Sequence, residues 1–415
     1  MKLSLDDCLR DALTQQSQQG LLRQLMPVTE VDGRLVRQGE KLLVNFSSND
    51  YLGLARHPKL QEAALQAVRD WGTGSTASRL ICGSLQVHHL LEEQLAAYKG
   101  TAAALIFSTG HAAAMGTVPA LVGREDIVIL DRLAHACLVD AARLSGAALR
   151  VFRHNDLNDL ERLLRWADDR RTQAARQPRP LRILVVTESV FSMDGDQAPL
   201  AAIVELKDRY GAWLMVDEAH ATGLFGPRGE GLIAAAGLTQ RVEIQMGTLG
   251  KALGSAGGFI AGSRPLIDWL IQAARTFMFS TAPTPSQSAV AATAVQLVQS
   301  AEGTRLRAQL WKHVHQATRM AVRGDLQWPG LSLPPSSAIL PWVAGESARA
   351  LACAETARQM GLLIPAIRYP AVPRHRARLR ITISAAHLPE DLALLERFLL
   401  QIAGASLTPT PAPRF

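Results

Sequence analysis

Between residues 100 and 265 short apolar runs recur along the chain: AALIF (103–107), DIVIL (126–130), RILVV (182–186), AWLMV (212–216), EIQMG (243–247) and GGFIA (257–261). Runs that stay apolar instead of alternating predict strands covered on both faces. Helical patterns such as AHACLVDAARLSG and APLAAIVELKDRYG lie between them. Strand and helix in alternation predict an α/β fold with a mostly parallel central sheet and helices on both faces. The first twenty residues have the spacing of a short amphipathic helix, and QAVRDW and VHHLLEEQLAAY also read as helical. DDRRTQAARQPRPLR (168–182) reads as an exposed loop between a helix and a strand. SAILPWVAG (337–345) and ARLRITISA (377–385) fit strands of a smaller C-terminal α+β domain. The expected division is an N-terminal segment 1–49, a large α/β domain 50–290, a small α+β domain 291–402 and a flexible, Pro-rich tail 403–415.

The chain of 415 residues is 48% hydrophobic and 20% charged, enough for a large core. No apolar run reaches the roughly 18 residues of a membrane helix, so no membrane association is expected. The N-terminus carries acids and lacks the apolar region of a signal peptide. Cys8, Cys82, Cys137 and Cys353 form no CxxC, which argues against a disulfide framework or a zinc site and for the reducing cytoplasm. The net charge of +7 favours anionic partners, but aromatics are 5% and no basic stripe is interleaved with them, so no nucleic-acid partner is expected.

Parallel sheets bind ligands at the C-terminal ends of their strands. Five runs are followed there by polar groups: Ser108 to His111, Asp131 to His135, Thr187 to Ser192, Asp217-Glu218-Ala219-His220, and Thr248 to Lys251. The tetrad at 217–220 spells the DEAH box of a helicase ATPase. An ATPase also needs GxxxxGK[ST], and the Gly250-Lys251 dipeptide has Gln245 and Ala252 where that loop needs Gly and Ser or Thr. GTGSTA (72–77) has dinucleotide spacing but follows a helical pattern and not a strand.

Lysine is scarce, so Lys251 in GTLGKALGSAGG stands out among small neighbours. Near an apolar sheet end a lysine can lose its proton and form a Schiff base with a carbonyl; the other reading is an idle lysine at a helix start. Asp217 could pair with a protonated pyridine nitrogen, His220 could bond the phenolic oxygen of the same ring, and His135 could lie against its face. Ser108 to His111 open a helical stretch whose N–H groups suit a phosphate, and Thr248 adds a hydroxyl. Together these parts describe a pyridoxal 5'-phosphate site.

NFSSNDYLGL (45–54), GTGSTASRLICGS (72–84), DRLAHACL (131–138), HNDLNDLE (154–161), TESVFSMDGD (187–196), VDEAHATGLFG (216–226), GTLGKALGSAGG (247–258) and RLRITISAAH (378–387) resemble, in order and over nearly the whole chain, the α-oxoamine synthase family. The resemblance implies a fold type I pyridoxal-phosphate transferase, aspartate aminotransferase-like, acting as a homodimer with shared sites. It implies that Lys251 carries the cofactor and moves protons, Asp217 pairs with the ring nitrogen, His220 contacts the ring oxygen, and His135 stacks on the ring and touches substrate. Gly110, His111, Ser192 and Thr248 are implied as cofactor contacts, with Thr281 reaching the phosphate of the partner subunit. Arg23 is implied at the acyl substrate, Pro365 at a substrate-contacting position and Arg380 at the amino-acid carboxylate, with Arg378 as the fallback. IPAIRYPAVP (364–373) is similar to the branch that joins L-alanine to a pimeloyl thioester, CoA-bound or carrier-bound; the alternative is a sister enzyme using glycine or serine with another acyl-CoA. Two departures concern substrate preference: His111 where the family has Phe or Tyr, and Pro365 where some members have Thr.

The remaining histidines read as structural. His88 and His89 sit on a helical pattern without ligand spacing, and His154 precedes Asn155 and Asp156, which look like helix caps. Asp131 is expected to end a strand and Glu218 to point away from the ring or support a neighbour.

Overall fold

The apolar runs become the strands of one seven-stranded sheet. The computed structural model describes residues 4–30, 32–174 and 179–404, and these form two units. The larger, Asp50–Ser192 and Asp196–Gln309, holds strands β1 (Ala103–Phe107), β2 (Ile127–Asp131), β3 (Ala148–Phe152), β4 (Ile183–Glu188), β5 (Trp213–Asp217), β6 (Ile244–Thr248) and β7 (Gly258–Gly262). Their spatial order is β1-β7-β6-β5-β4-β2-β3. β7 runs antiparallel to both neighbours and the other strands are mutually parallel.

The period of two along each strand divides two cores. Leu214 and Val216 of β5 face one way and pack with α5 (Leu157–Gln173) and α6 (Leu200–Arg209). Met215 faces the other way, toward α3 (Gly110–Leu121) and α4 (Ala136–Ser145). α1 (Pro58–Trp71) and α2 (Gln86–Lys99) precede β1.

After β1, the strands lie one residue later than their apolar runs. β2, β4, β5 and β6 each close on a polar residue, Asp131, Glu188, Asp217 and Thr248, that continues the ladder. Glu188 pairs in register with Asp217, and Asp217 with Met246. The groups expected just past the strands are thus partly strand residues, held by the sheet itself. β3 gave no apolar run because it is an edge strand whose Arg150 and Val151 face solvent. The expected loop at 168–182 is helical up to Gln173: Arg171 pairs with Asp168 one turn away and Arg171 Nη1 donates to Gly211 O (3.1 Å). Residues 175–178 of that stretch lie outside the described residues.

The smaller unit comprises the chain up to Asn49, Met193–Gly195 and the chain from Leu310. This differs from the expected segments: the N-terminal part groups with the C-terminal part, and helix Pro285–Gln299 stays with the larger unit. A hairpin of Leu35–Gln38 and Lys41–Asn45 is extended in parallel by Leu362–Leu363. A second sheet joins Ile339–Gly345, Ala377–Thr382 and Ala366–Ile367. The helix Leu5–Gln18, capped by Ser4, has no buried residue. The last helix runs to Gly404, and the rest of the expected tail lies outside the described residues. Among the described residues no helix is long and apolar enough to cross a membrane.

Two close contacts fix the strand ends. A Cβ on Gly258, the first residue of β7, would stand 2.5 Å from Gly110 Cα, so only glycine lets α3 begin against the sheet. Just past β5, Lys99 of α2 places Nζ 2.5 Å from Glu218 Oε2, both side chains being buried. Glu218 Oε1 accepts the Ile233 N–H (3.0 Å), and Gly231, at φ +126°, leaves room for the carboxylate. A buried ion pair that loses one partner leaves an uncompensated charge. Lys99→Met should therefore lower unfolding stability by about 3–5 kcal/mol in urea titration; an unchanged midpoint would remove the anchoring role of this pair.

Candidate active site

Asp217 and Glu188 end adjacent parallel strands in register, so their side chains leave the sheet on the same side. Both are buried. Burial pushes both carboxyls above the usual carboxylate range; for Glu188 the charge of Asp217 adds to it, and for Asp217 the charge of Lys251 and the Ala219 N–H oppose it. Two buried carboxylates side by side cannot both ionise freely. Asp217 Oδ1 accepts the Ala219 N–H at 2.8 Å, which favours its charged form.

Lys251 Nζ lies 2.7 Å from His220 Nε2, and His220 Nδ1 lies 2.6 Å from Tyr51 Oη. A lysine ammonium can only donate, so Nε2 accepts and the proton of His220 is on Nδ1, directed at the tyrosine oxygen. His220 and Tyr51 are buried, the former on the turn that leaves β5.

His135 caps α4: its Nδ1 accepts the Cys137 N–H (3.2 Å). The Cys137 thiol is pushed up to about 12 by burial and by the nearby Asp217 and Glu188, so it keeps its proton. Its Sγ lies 3.0 Å from the same Nδ1. With Nδ1 accepting the Cys137 N–H, the ring proton is on Nε2. Burial holds His135 below the ordinary histidine range; Asp217 opposes this, while Lys251 and His111 add to it. The His135 backbone N–H donates to Glu188 Oε1 at 2.5 Å.

Gly110 and His111 are the first two residues of α3, capped by Thr109, whose side chain accepts the Ala112 N–H. Helix N-termini carry unpaired N–H groups and partial positive charge, which suits an anion. Thr248 lies against Gly110, where a Cβ would meet its Cβ at 3.7 Å, and its Oγ1 donates to Gly257 O (3.0 Å). Ser192 is buried after β4. Thr281 is exposed and bridges to Ser78.

The larger unit thus brings together Lys251, His220, Asp217 and His135 and sets Thr248 against Gly110. Arg23, Pro365 and Arg380 belong to the smaller unit. Arg380 is buried and donates to Thr382 Oγ1 (3.0 Å). Arg378 is held by Asp194 Oδ1 (2.5 Å) and Met193 O (3.1 Å). Sequence reasoning gave no role to Tyr51, Glu188 or Cys137. All three lie inside the motifs NFSSNDYLGL, TESVFSMDGD and DRLAHACL, so the signal was present but their partners, distant in sequence, were not. A cavity of about 600 Å³ between Arg182, Trp213, Glu243 and Trp269 lies at the opposite end of the strands and takes no candidate residue.

The family described as aminotransferase class I and II matches residues 41–398. The chain is 44% identical to the 8-amino-7-oxononanoate synthase of Geobacter sulfurreducens over 92% of this chain and 94% of that one. It is 43% identical to that of Alkalilimnicola ehrlichii over 97% and 99%. A solved structure of serine palmitoyltransferase from S. paucimobilis with a bound PLP–myriocin aldimine superposes with a TM-score of 0.84, at 28% identity over 95% of this chain and 98% of that one.

The capping geometry of His135 makes it neutral at pH 7, and acid that protonates Nδ1 breaks the cap of α4. The depressed midpoint puts this loss below the unfolded value of about 6.5 as pH falls. Imidazole ¹⁵N NMR should show His135 protonated on Nε2 alone at pH 7, with a midpoint below 6.5 (the unfolded value); a midpoint at or above it rejects the assignment.

Proposed function

We propose that this chain, which belongs to the aminotransferase class I and II family and within it to the α-oxoamine synthases, catalyses the 8-amino-7-oxononanoate synthase reaction. That reaction is the decarboxylative condensation of L-alanine with a pimeloyl thioester, CoA-bound or carrier-bound, a step of biotin biosynthesis. The observation that carries the reading is the Lys251–His220 contact beside a buried Asp217 at the end of β5.

The residues fit pyridoxal 5'-phosphate. Asp217 is a buried acid for a pyridine nitrogen, His220 an imidazole beside Lys251 for contact with the ring oxygen, and His135 a ring to stack on it. The N-terminus of α3, with Gly110 and His111 and with Thr248 beside it, is a cradle for the phosphate. Ser192 is the further contact, and Thr281 is assigned to the phosphate of the partner subunit in a cytoplasmic homodimer. When bound, this group supplies an electron sink for the charge left at the amino acid Cα.

Lys251 anchors the cofactor, and its Nζ, released when the amino acid takes its place, accepts the α-proton. Asp217, whose charged form Lys251 and the Ala219 N–H favour, supports the protonated ring nitrogen. Arg380 is assigned to the alanine carboxylate. The amino acid Cα then bonds to the thioester carbonyl, the thiol leaves, the carboxylate departs as CO2, and Lys251 returns a proton to Cα. The Nε2–H of neutral His135 is a hydrogen-bond donor toward substrate oxygen. Arg23 is assigned to the acyl substrate and Pro365 to a substrate contact.

The likeness to serine palmitoyltransferase favours a second reading, a sister enzyme using serine or glycine with another acyl-CoA. Mass spectrometry of products from pimeloyl-CoA with equimolar alanine, glycine and serine separates the two. The alanine product should dominate; a serine or glycine product in its place moves the chain to the sister reaction. Lys251→Ala should remove the visible band of the lysine-linked cofactor and all turnover while the fold persists. An unchanged spectrum sinks the role of Lys251.

A further inference from the structure

Three strand-end turns of the larger unit meet at one imidazole. His154, on the turn after β3, places Nδ1 2.9 Å from Asp131 Oδ1 and Nε2 2.7 Å from Asp196 Oδ2. Asp131 closes β2 and opens the turn to His135; its Oδ1 also accepts the Leu133 N–H (2.8 Å). Asp196 lies on the turn after β4, where its O accepts the Phe191 N–H (3.0 Å). Asn155, at φ +54°, completes the clamp. Its N–H reaches Asp131 Oδ2 (3.0 Å), and its Nδ2 reaches Asp196 Oδ2 (3.0 Å) and Gln197 O (3.1 Å). Phe191 meets the His154 ring edge-on at 4.4 Å. Only Asp156, which accepts the Asp159 N–H, serves as the helix cap that the sequence led one to expect here.

Carboxylate oxygens accept and do not donate, so a neutral imidazole would turn a lone pair toward one of the two acids. The imidazolium satisfies both. Burial alone would lower the His154 pKa, but the bonds to Asp131 and Asp196 outweigh it and push it up to about 10. The charged groups facing the ring are these two carboxylates. Arg153 beside it is exposed and turns to Asp156 and Asp159.

We propose that His154 is a positioning residue of the active site: as an imidazolium bonded to both acids, it holds the His135 turn through Asp131 and the Ser192 turn through Asp196. The proposal rests on the site assignment above for the roles of His135 and Ser192. The His135 backbone is then fixed from two sides, by Glu188 Oε1 on its N–H and by the Asp131 turn before it. Small displacements of a group that meets substrate cost rate far more than they cost stability.

The test is a double-mutant cycle between His154→Gln and His135→Asn in the pyridoxal-phosphate-loaded enzyme, with far-UV circular dichroism to check the fold. His154→Gln should lower kcat by about 10²-fold with little change in KM for the amino acid. In the His135→Asn background the same substitution should lower kcat by far less. Asp196→Asn is the milder companion and should act in the same direction. A readout that needs no turnover runs in parallel: His154→Gln should shift the ¹⁵N titration midpoint of His135 in the absence of substrates. If wild type makes no alanine product, the reaction assignment fails and this midpoint alone decides the clamp. Wild-type kcat in His154→Gln, equal fold-losses in the two backgrounds, or an unmoved His135 midpoint overturns the proposal.

Discussion

The site depends on one awkward constraint: two carboxyls, Glu188 and Asp217, end neighbouring parallel strands in register, away from water. A sheet has no freedom to part them, because their Cα atoms are set by the ladder. One must hold a proton, and the charge on the other must be answered by cations and N–H groups. Lys251, the Ala219 N–H and the capping of α4 by neutral His135 are organised around that requirement. An acid kept charged in such a place is a strong partner for a protonated ring nitrogen, since little water competes for it.

The tetrad at the end of β5 shows how one short motif can be split among separate tasks. Asp217 is the last strand residue, Glu218 turns to Lys99 and Ile233, and His220 turns to Lys251 and Tyr51. Neither acid has the role that a nucleotide hydrolase would give it. The meaning of the tetrad lies in the partners that α2, the helix start at 231–233 and the 251 loop bring to it.

The sheet was legible because both of its faces are buried, so hydrophobicity alone marks six strands. β3 was not legible, because an edge strand with Arg150 exposed carries no continuous apolar signal. The helical part of 168–173 was hidden for a related reason: its stability comes from the Arg171–Asp168 pair and a contact to Gly211, not from an apolar face. At the site, residue types with distinctive chemistry, Lys251, Asp217, His220 and His135, could be chosen from their place after apolar runs. Tyr51, Glu188 and His154 could not, because their meaning is a pairing with a residue far along the chain: 169 positions for Tyr51–His220 and 53 for Glu188–His135.

The place of β7 has a bearing on how the chain is made. β1 is an edge strand of five buried residues, and its sole neighbour in the sheet is β7, which begins about 150 residues later. At ribosomal rates of about 5–20 residues per second, the AALIF segment emerges roughly 8–30 s before its partner exists. Until then an apolar strand has no ladder to join and β6 lacks its cover. In that window the exposed apolar strand and the uncovered edge of β6 carry the hazard of unpaired strands, association with other chains.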